Sequence, residues 1–290
     1  MHEPVLLREV LEFLRPSNGD VIVDCTVGGG GHADAILEKV MPDGKLIGID
    51  RDDEAIKAAS ERLARFKDRV VLRRGNFREV GSILNTLGVG EVNGLLFDLG
   101  LSSLQIEDEK RGFSIRLDGP LDMRMSRGDS IDARFIVNRL SEKEIEAIIR
   151  DYGEERFSRR IASAIVRGRP VKTTGQLAEI TERAMPGWSR RQKIHPATRT
   201  FQALRIAVND ELGALRSALK EMPQCLKKGG RVCAISFHSL EDRIVKHALR
   251  DYSKSGELEV ITKKPVVAGD EERAANPRSR SAKLRVAQKI

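Results

Sequence analysis

The sequence predicts a doubly wound α/β sheet that carries an all-helical insertion. Three observations predict it. Residues 5 to 108 alternate short apolar runs with amphipathic helical stretches, the pattern of parallel strands joined by helices. Residues 130 to 205 read as helices alone. The alternation then returns at Gly229 and runs to the end of the chain.

The elements follow in order. An amphipathic helix, Val5 to Leu14, stops before Pro16. Val21–Val23 is a buried strand, Ala33–Val40 a helix, and Lys45–Ile49 a strand that ends in Asp50. Helix Asp53–Phe66 has Asp52 or Asp53 as its N-cap. Strand Val70–Arg73, helix Val80–Leu87 and strand Val92–Asp98 complete the first half of the sheet. Leu101 to Asp129 has no period and reads as a long loop, which in a compact domain is usually functional. Ser141 and Glu144 form a capping box, and Arg156–Arg167 and Thr174–Ala184 are helices. Trp188 to Thr198 is a basic loop, and Thr198 to about Met222 reads as one long helix. Gly229-Gly230-Arg231 then turns into strand Val232–Phe237. Helix Ser239–Asp251 and strands at Leu258–Thr262 and Arg285–Gln288 close the chain. The expected domains are a discontinuous sheet domain, 1–108 and 207–290, and a helical insertion, 109–206.

Composition narrows the function. The chain has 290 residues, 40% of them hydrophobic, enough for a proper core. No apolar run reaches the roughly eighteen residues of a membrane span, and Met1-His2-Glu3-Pro4 does not resemble a signal peptide. A cytoplasmic protein is expected. Cys25, Cys225 and Cys233 show no paired spacing and read as buried small hydrophobes. Net charge is −6 over residues 1–110, +8 over 111–206 and +6 over 207–290. The sheet half that begins the chain is acidic, while the insertion and the tail are basic, which suits a polyanionic partner.

The richest stretch is Asp24-Cys25-Thr26-Val27-Gly28-Gly29-Gly30-Gly31-His32. So many glycines between a strand and a helix let a ligand approach the backbone closely. Gly28 to Ala33 satisfies the dinucleotide pattern G-x-G-x-x-A, so an NAD-dependent oxidoreductase is one reading. Asp24 opposes a pyrophosphate there and favours a sulfonium ligand, and S-adenosylmethionine carries a sulfonium, a ribose and no phosphate. Asp50 suits the ribose hydroxyls, and Phe77, after the third strand, suits either the core or an adenine face. Asp98, Ser102 and Ser103 follow the fourth strand, and His238 follows the fifth, on the edge that faces the ligand crevice. A Ser–His–Asp hydrolase is disfavoured because no G-x-S-x-G elbow precedes a helix. The histidines show no metal-ligand spacing, and no catalytic metal is expected.

These motifs together resemble one family, the bacterial MraW or RsmH methyltransferases that modify N4 of a cytidine in small-subunit ribosomal RNA. The resemblance spans nearly the whole chain. It rests on His2-Glu3-Pro4-Val5, the Asp24–His32 stretch, Gly48-Ile49-Asp50-Arg51-Asp52 and Leu96-Phe97-Asp98-Leu99-Gly100-Leu101-Ser102-Ser103. It also rests on Arg111-Gly112-Phe113-Ser114, Pro120 to Met125, Arg199 to Arg205, Ile235 to Arg243 and Asn276 to Ser281. Gly28 and Phe97 are small departures from the pattern.

The resemblance implies a class I S-adenosylmethionine-dependent methyltransferase sheet, Rossmann-like, with an inserted helical domain. It implies cofactor contacts at Gly30, Gly31, His32, Asp50, Phe77, Asp98 and Gln105. It implies 16S ribosomal RNA as partner, within the small subunit, and a monomer or homodimer. Direct in-line methyl transfer needs no covalent intermediate, and Asp98 or a nearby backbone carbonyl is the candidate acceptor for the amino hydrogens. Ser102, Ser103, His238, Arg190, Arg191, Lys193 and Arg199 are candidate RNA contacts. The competing class is a non-catalytic RNA-binding protein with a vestigial nucleotide site.

Overall fold

The computed structural model describes residues 4–189 and 194–290. The chain divides into two compact units, Met1–Ser102 with Leu212–Ile290, and Ser103–Glu211. The borders expected at 108/109 and 206/207 differ from these, at 102/103 and 211/212.

The first unit holds a seven-stranded sheet. Its strands are β1 (Val21–Asp24), β2 (Lys45–Asp50), β3 (Val70–Arg74), β4 (Val92–Asp98), β5 (Leu226–Ser236), β6 (Leu258–Val260) and β7 (Lys283–Lys289). Their order is β3-β2-β1-β4-β5-β7-β6. The pairs from β3 to β5 are parallel, and β7 runs antiparallel to both neighbours. This is the class I methyltransferase sheet expected above. Strands covered on both faces read as near-continuous apolar runs, as in Val-Asn-Gly-Leu-Leu-Phe-Asp of β4. Alternate residues feed two cores: Val23, Ile47, Leu95 and Phe97 face one, and Ile22, Leu46 and Leu96 the other.

Before the insertion come α1 (Leu7–Leu14), α2 (Gly31–Val40), α3 (Asp53–Leu63) and α4 (Val80–Thr86). Asp52 caps α3 by accepting from the Glu54 N–H. That helix stops at Leu63, and a 3₁₀ turn carries the chain to Arg69, short of the single helix expected to Phe66.

The second unit contains α5 (Ser103–Glu107), α6 (Ala133–Arg139), α7 (Glu142–Gly153), α8 (Ser158–Arg167), α9 (Thr174–Ala184) and α10 (Thr198–Asn209). The expected capping box of Ser141 and Glu144 is formed at α7. The loop expected from Leu101 begins instead with α5 and becomes irregular after it. Buried Arg111 holds that loop by donating from Nη2 to the carbonyls of Arg124 at 3.0 Å and Met125 at 2.9 Å.

After the insertion come α11 (Glu211–Cys225), α12 (Ser239–Lys254) and α13 (Asp270–Ala275), the last not foreseen. The long helix expected from Thr198 to Met222 is two helices, parted at Asp210 with φ 47°. Asn209 explains the break. Its Nδ2 donates to the carbonyls of Met123 and Arg205, each at 2.8 Å, and its Oδ1 accepts from the Met125 N–H at 2.8 Å. Asn209→Ala strips buried partners from the loop, so the second unit should lose about 2–4 kcal/mol. Chemical denaturation monitored by circular dichroism checks this, and an unchanged midpoint would show the bonds to be dispensable.

Strand β5 also differs from expectation, starting at Leu226 rather than Val232. Gly229, at φ 81°, lies inside the strand, and the register shifts between Val92 and Gly94 of β4. The expected turn is therefore an irregularity within the ladder. All three cysteines are buried and unpaired. No described helix is long and apolar enough to cross a membrane.

Candidate active site

The carboxyl edge of the sheet gathers the acids. β1 ends at Asp24, β2 at Asp50 and β4 at Asp98. Between β1 and α2 the glycine loop turns through Gly28 at φ 51° and Gly30 at φ 79°, a backbone region that disfavours side chains. Asp50 ties this loop down: its Oδ2 accepts from the Gly28 N–H at 3.0 Å and its Oδ1 from the Asp52 N–H at 2.9 Å. Ser102 reaches the same loop, its Cβ 4.0 Å from where a Cβ on Gly28 would stand. Gly29 faces open space. Gly31 is a glycine for a different reason, since a Cβ there would meet Pro4 Cγ at 2.6 Å.

His32 is buried at 5% exposure, and its Nε2 lies 3.0 Å from the Val5 carbonyl oxygen. A carbonyl only accepts, so Nε2 carries the proton and Nδ1 presents a lone pair. That lone pair lies 3.5 Å from Asp98 Oδ2. Burial lowers the His32 pKa to about 4, so the ring is neutral. Burial first, and then the charges of Asp24 and Glu241, raise Asp98 well above the ordinary carboxylate value. The contact therefore joins a neutral imidazole to an acid whose ionisation burial opposes. Asp98 Oδ1 has no hydrogen-bond partner among the described residues.

Asp24 is 1% exposed and accepts from the Thr26 N–H at 3.1 Å. Burial, followed by the neighbouring charge of Asp50, raises its pKa to about 7. Asp50 rises to about 6, mainly through burial. Thr26 joins the strand ends, because its Oγ1 accepts the Asp98 N–H at 2.6 Å.

Phe77 follows β3, half-buried, with its ring edge-on to Phe97 at 5.9 Å. His238 is the N-cap of α12: its Nδ1 accepts from the Glu241 N–H at 3.4 Å, and its Nε2 lies 3.3 Å from Glu241 Oε1. With Nδ1 engaged in the cap, a general-base role for this ring is disfavoured.

A model of the MraW methylase family matches residues 1–290. The chain belongs to that family. It is 49% identical over 308 residues to the ribosomal RNA small subunit methyltransferase H of Heliobacterium modesticaldum, covering 100% of this chain and 98% of that one. It is 51% identical over 307 residues to the protein of that name from Geobacter sulfurreducens, covering 100% and 99%. Among solved structures, the methyltransferase homolog protein of Pyrococcus horikoshii aligns over 100% of this chain and 67% of that one, at 12% identity and a TM-score of 0.48. Nothing about the site is carried over at that distance.

Within this methylase, the first unit brings together Gly30, Gly31, His32, Asp50 and Asp98, with Phe77 and Ser102 on the same edge. Ser103, Gln105 and Arg199 belong to the second unit. Gln105 is buried in α5, and Arg199 Nη1 lies 3.4 Å from the Glu154 carbonyl oxygen and 3.7 Å from Glu155 Oε2. Arg190, Arg191 and Lys193 lie outside the described residues, as do His2 and Glu3. Sequence reasoning missed Thr26 and Glu241. Thr26 was visible only as a polar residue in an apolar strand end. Glu241, 2% exposed, accepts the Phe237 N–H at 2.9 Å, and its sequence signal was a carboxylate at the third position after the cap His238.

Proposed function

We propose that this methylase transfers a methyl group from S-adenosyl-L-methionine to the exocyclic N4 of a cytidine in the decoding region of 16S ribosomal RNA. One observation carries the reading: Asp98, an acid with an unpartnered oxygen, stands among other acids beside a glycine loop that is open at Gly29. That donor set fits a cationic, phosphate-free cofactor. A dinucleotide would bring its pyrophosphate to the same carboxyls, which charge opposes.

The glycine-loop backbone from Gly28 to His32 holds the cofactor, with Asp50 on the ribose hydroxyls and Phe77 on the adenine. His32 offers its backbone, because its ring is engaged by Val5 and Asp98. The family resemblance adds Gln105 as a cofactor contact. When bound, the cofactor supplies an electrophilic methyl group and a positive charge. That charge draws Asp98 into its ionised form. The anion accepts a hydrogen bond from the cytosine amino group, which frees the nitrogen lone pair from the ring. As the N–C bond formed and the C–S bond broke, the sulfonium would leave as a neutral thioether and the amino proton would pass to the Asp98 carboxylate. The target base leaves its stack to reach this edge, and Ser102, Ser103 and His238 contact the RNA there.

The test is mass mapping of 16S ribosomal RNA from cells with and without this protein. One cytidine in the decoding region should lose 14 mass units on deletion, the replacement of CH₃ by H (about 14 Da), and fragmentation should put them on N4. A methyl group on carbon or ribose, or no change at all, would refute the reading.

A further inference from the structure

The second unit carries an arginine stripe that the proposed chemistry does not use. Helix α8 presents Arg160, Ser163 and Arg167 at i, i+3 and i+7, one face of a helix. Glu142, Arg159 and Arg183 join them around a cleft of about 420 Å³. Among the described residues, Glu142 is the only acid in that lining. Arg167 is set in place by donating to Ser163 Oγ at 2.8 Å, and Arg183 by Glu179 one turn away. Arg159 and Arg160 are exposed and meet no carboxylate within 4 Å among the described residues.

The stripe ends in aromatic rings. Four residues before Arg160, in the turn that leads into α8, Arg156 lies 4.6 Å from the Phe157 centroid and 4.4 Å from the Trp188 centroid. The two rings meet edge to face at 6.0 Å. Trp188 is 57% exposed. An exposed indole braced by a guanidinium does little for folding, whereas unstacked bases bind to such planes.

We infer that the α8 stripe and Trp188 form a docking track for single-stranded RNA, with Arg160 and Arg167 on successive phosphates and Trp188 under an unpaired base. Phosphate-neutralising charges give affinity without sequence choice, and the ring adds a demand for an unpaired base. From Arg160 to Arg167 the track runs about 10 Å, room for a short run of nucleotides. A duplex keeps its base faces hidden and cannot use the ring. The inference rests on the proposed reading that RNA is the substrate, and it adds where and in what form the strand is held.

Trp188 is the only tryptophan, so its fluorescence reports on the track directly. The full-length protein is titrated with a single-stranded RNA oligonucleotide of decoding-region sequence and with the same strand in a duplex, and filter binding is measured in parallel. The single strand should quench Trp188 in step with filter binding, and the duplex should not. Arg160→Ala with Arg167→Ala should weaken the single strand about tenfold near 0.1 M salt. The slope of log Kobs against log salt should drop by about 1.4, two phosphate contacts at roughly 0.7 each. Affinity for S-adenosylmethionine should stay the same. RNA that binds on filters with a silent Trp188 and an unchanged slope overturns the track and leaves the methyltransferase reading standing. Equal quenching by the duplex overturns the single-strand preference. Failure of any RNA to bind on filters overturns the RNA reading itself.

Discussion

Asp98→Asn will reduce methyl transfer about 10²- to 10⁴-fold while the fold survives. The amide preserves most of what Asp98 does in the free protein. It can donate toward the bare Nδ1 of His32, which lies 3.5 Å from Asp98 Oδ2, and it adds no charge to a buried site. What it cannot do is become an anion when a positive charge arrives. The loss should therefore appear in kcat at saturating cofactor and RNA, with an unaltered circular dichroism spectrum. Turnover within a few-fold of the parent would remove Asp98 from the mechanism. The acceptor would then be sought among the backbone carbonyls of Leu99 to Ser102.

The second large effect is on pH. Asp24, at about 7, and Asp50, at about 6, take up protons in the free protein as pH falls from 8 to 6, and burial raises Asp98 well above the ordinary carboxylate value. A cationic ligand binds best once they are released, so its affinity rises with pH, about tenfold per unit for each proton released. S-adenosylmethionine should bind at least about tenfold more weakly at pH 6 than at pH 8. S-adenosylhomocysteine has the same amino acid end and no charge on sulfur, so its affinity should change much less. Calorimetry in buffers of different ionisation enthalpy reads both the affinity and the protons. Parallel profiles for the two ligands would contradict the charge argument.

The same carboxyls set the stability of the free protein. Asp24 keeps its proton up to about pH 7 when folded, whereas an unfolded chain gives it up near the ordinary value of 3.8. The native state binds more protons between those limits, so stability falls as pH rises through them. From pH 5.5 to 8 the buried Asp24 alone removes about 2 kcal/mol. The unfolding midpoint should drop accordingly, and saturating cofactor should restore it.

Much of this site was legible in the residues. An apolar run, an acid and four glycines announced β1 and the loop before α2, and Asp50 was placed by the end of β2. What escaped was set by contacts distant in sequence. Nothing local marks Asn209 as the end of α10, because its partners Met123 and Met125 lie more than eighty residues away. The start of β5 at Leu226 was hidden because pairing with Val92 overrides the glycines that read as a turn. Asp24 was read as a charge facing the ligand. Its 1% exposure shows instead a buried acid acting through Thr26 and its neighbours, which no spacing rule reveals.

The strap at the start of the chain bears on how the enzyme is made. Val5 and Pro4 seat His32 and Gly31, while the Leu6 N–H donates to Glu272 Oε1, 266 residues on. β4 likewise waits for β5, because the whole second unit is translated between them. Such closures form late, whereas the helical unit is contiguous and can fold as it emerges. The sheet's central pairing therefore awaits β5, and the strap's last anchor awaits Glu272. A nascent chain would hold its helical unit before its sheet unit, and a truncated product would lack a finished sheet edge.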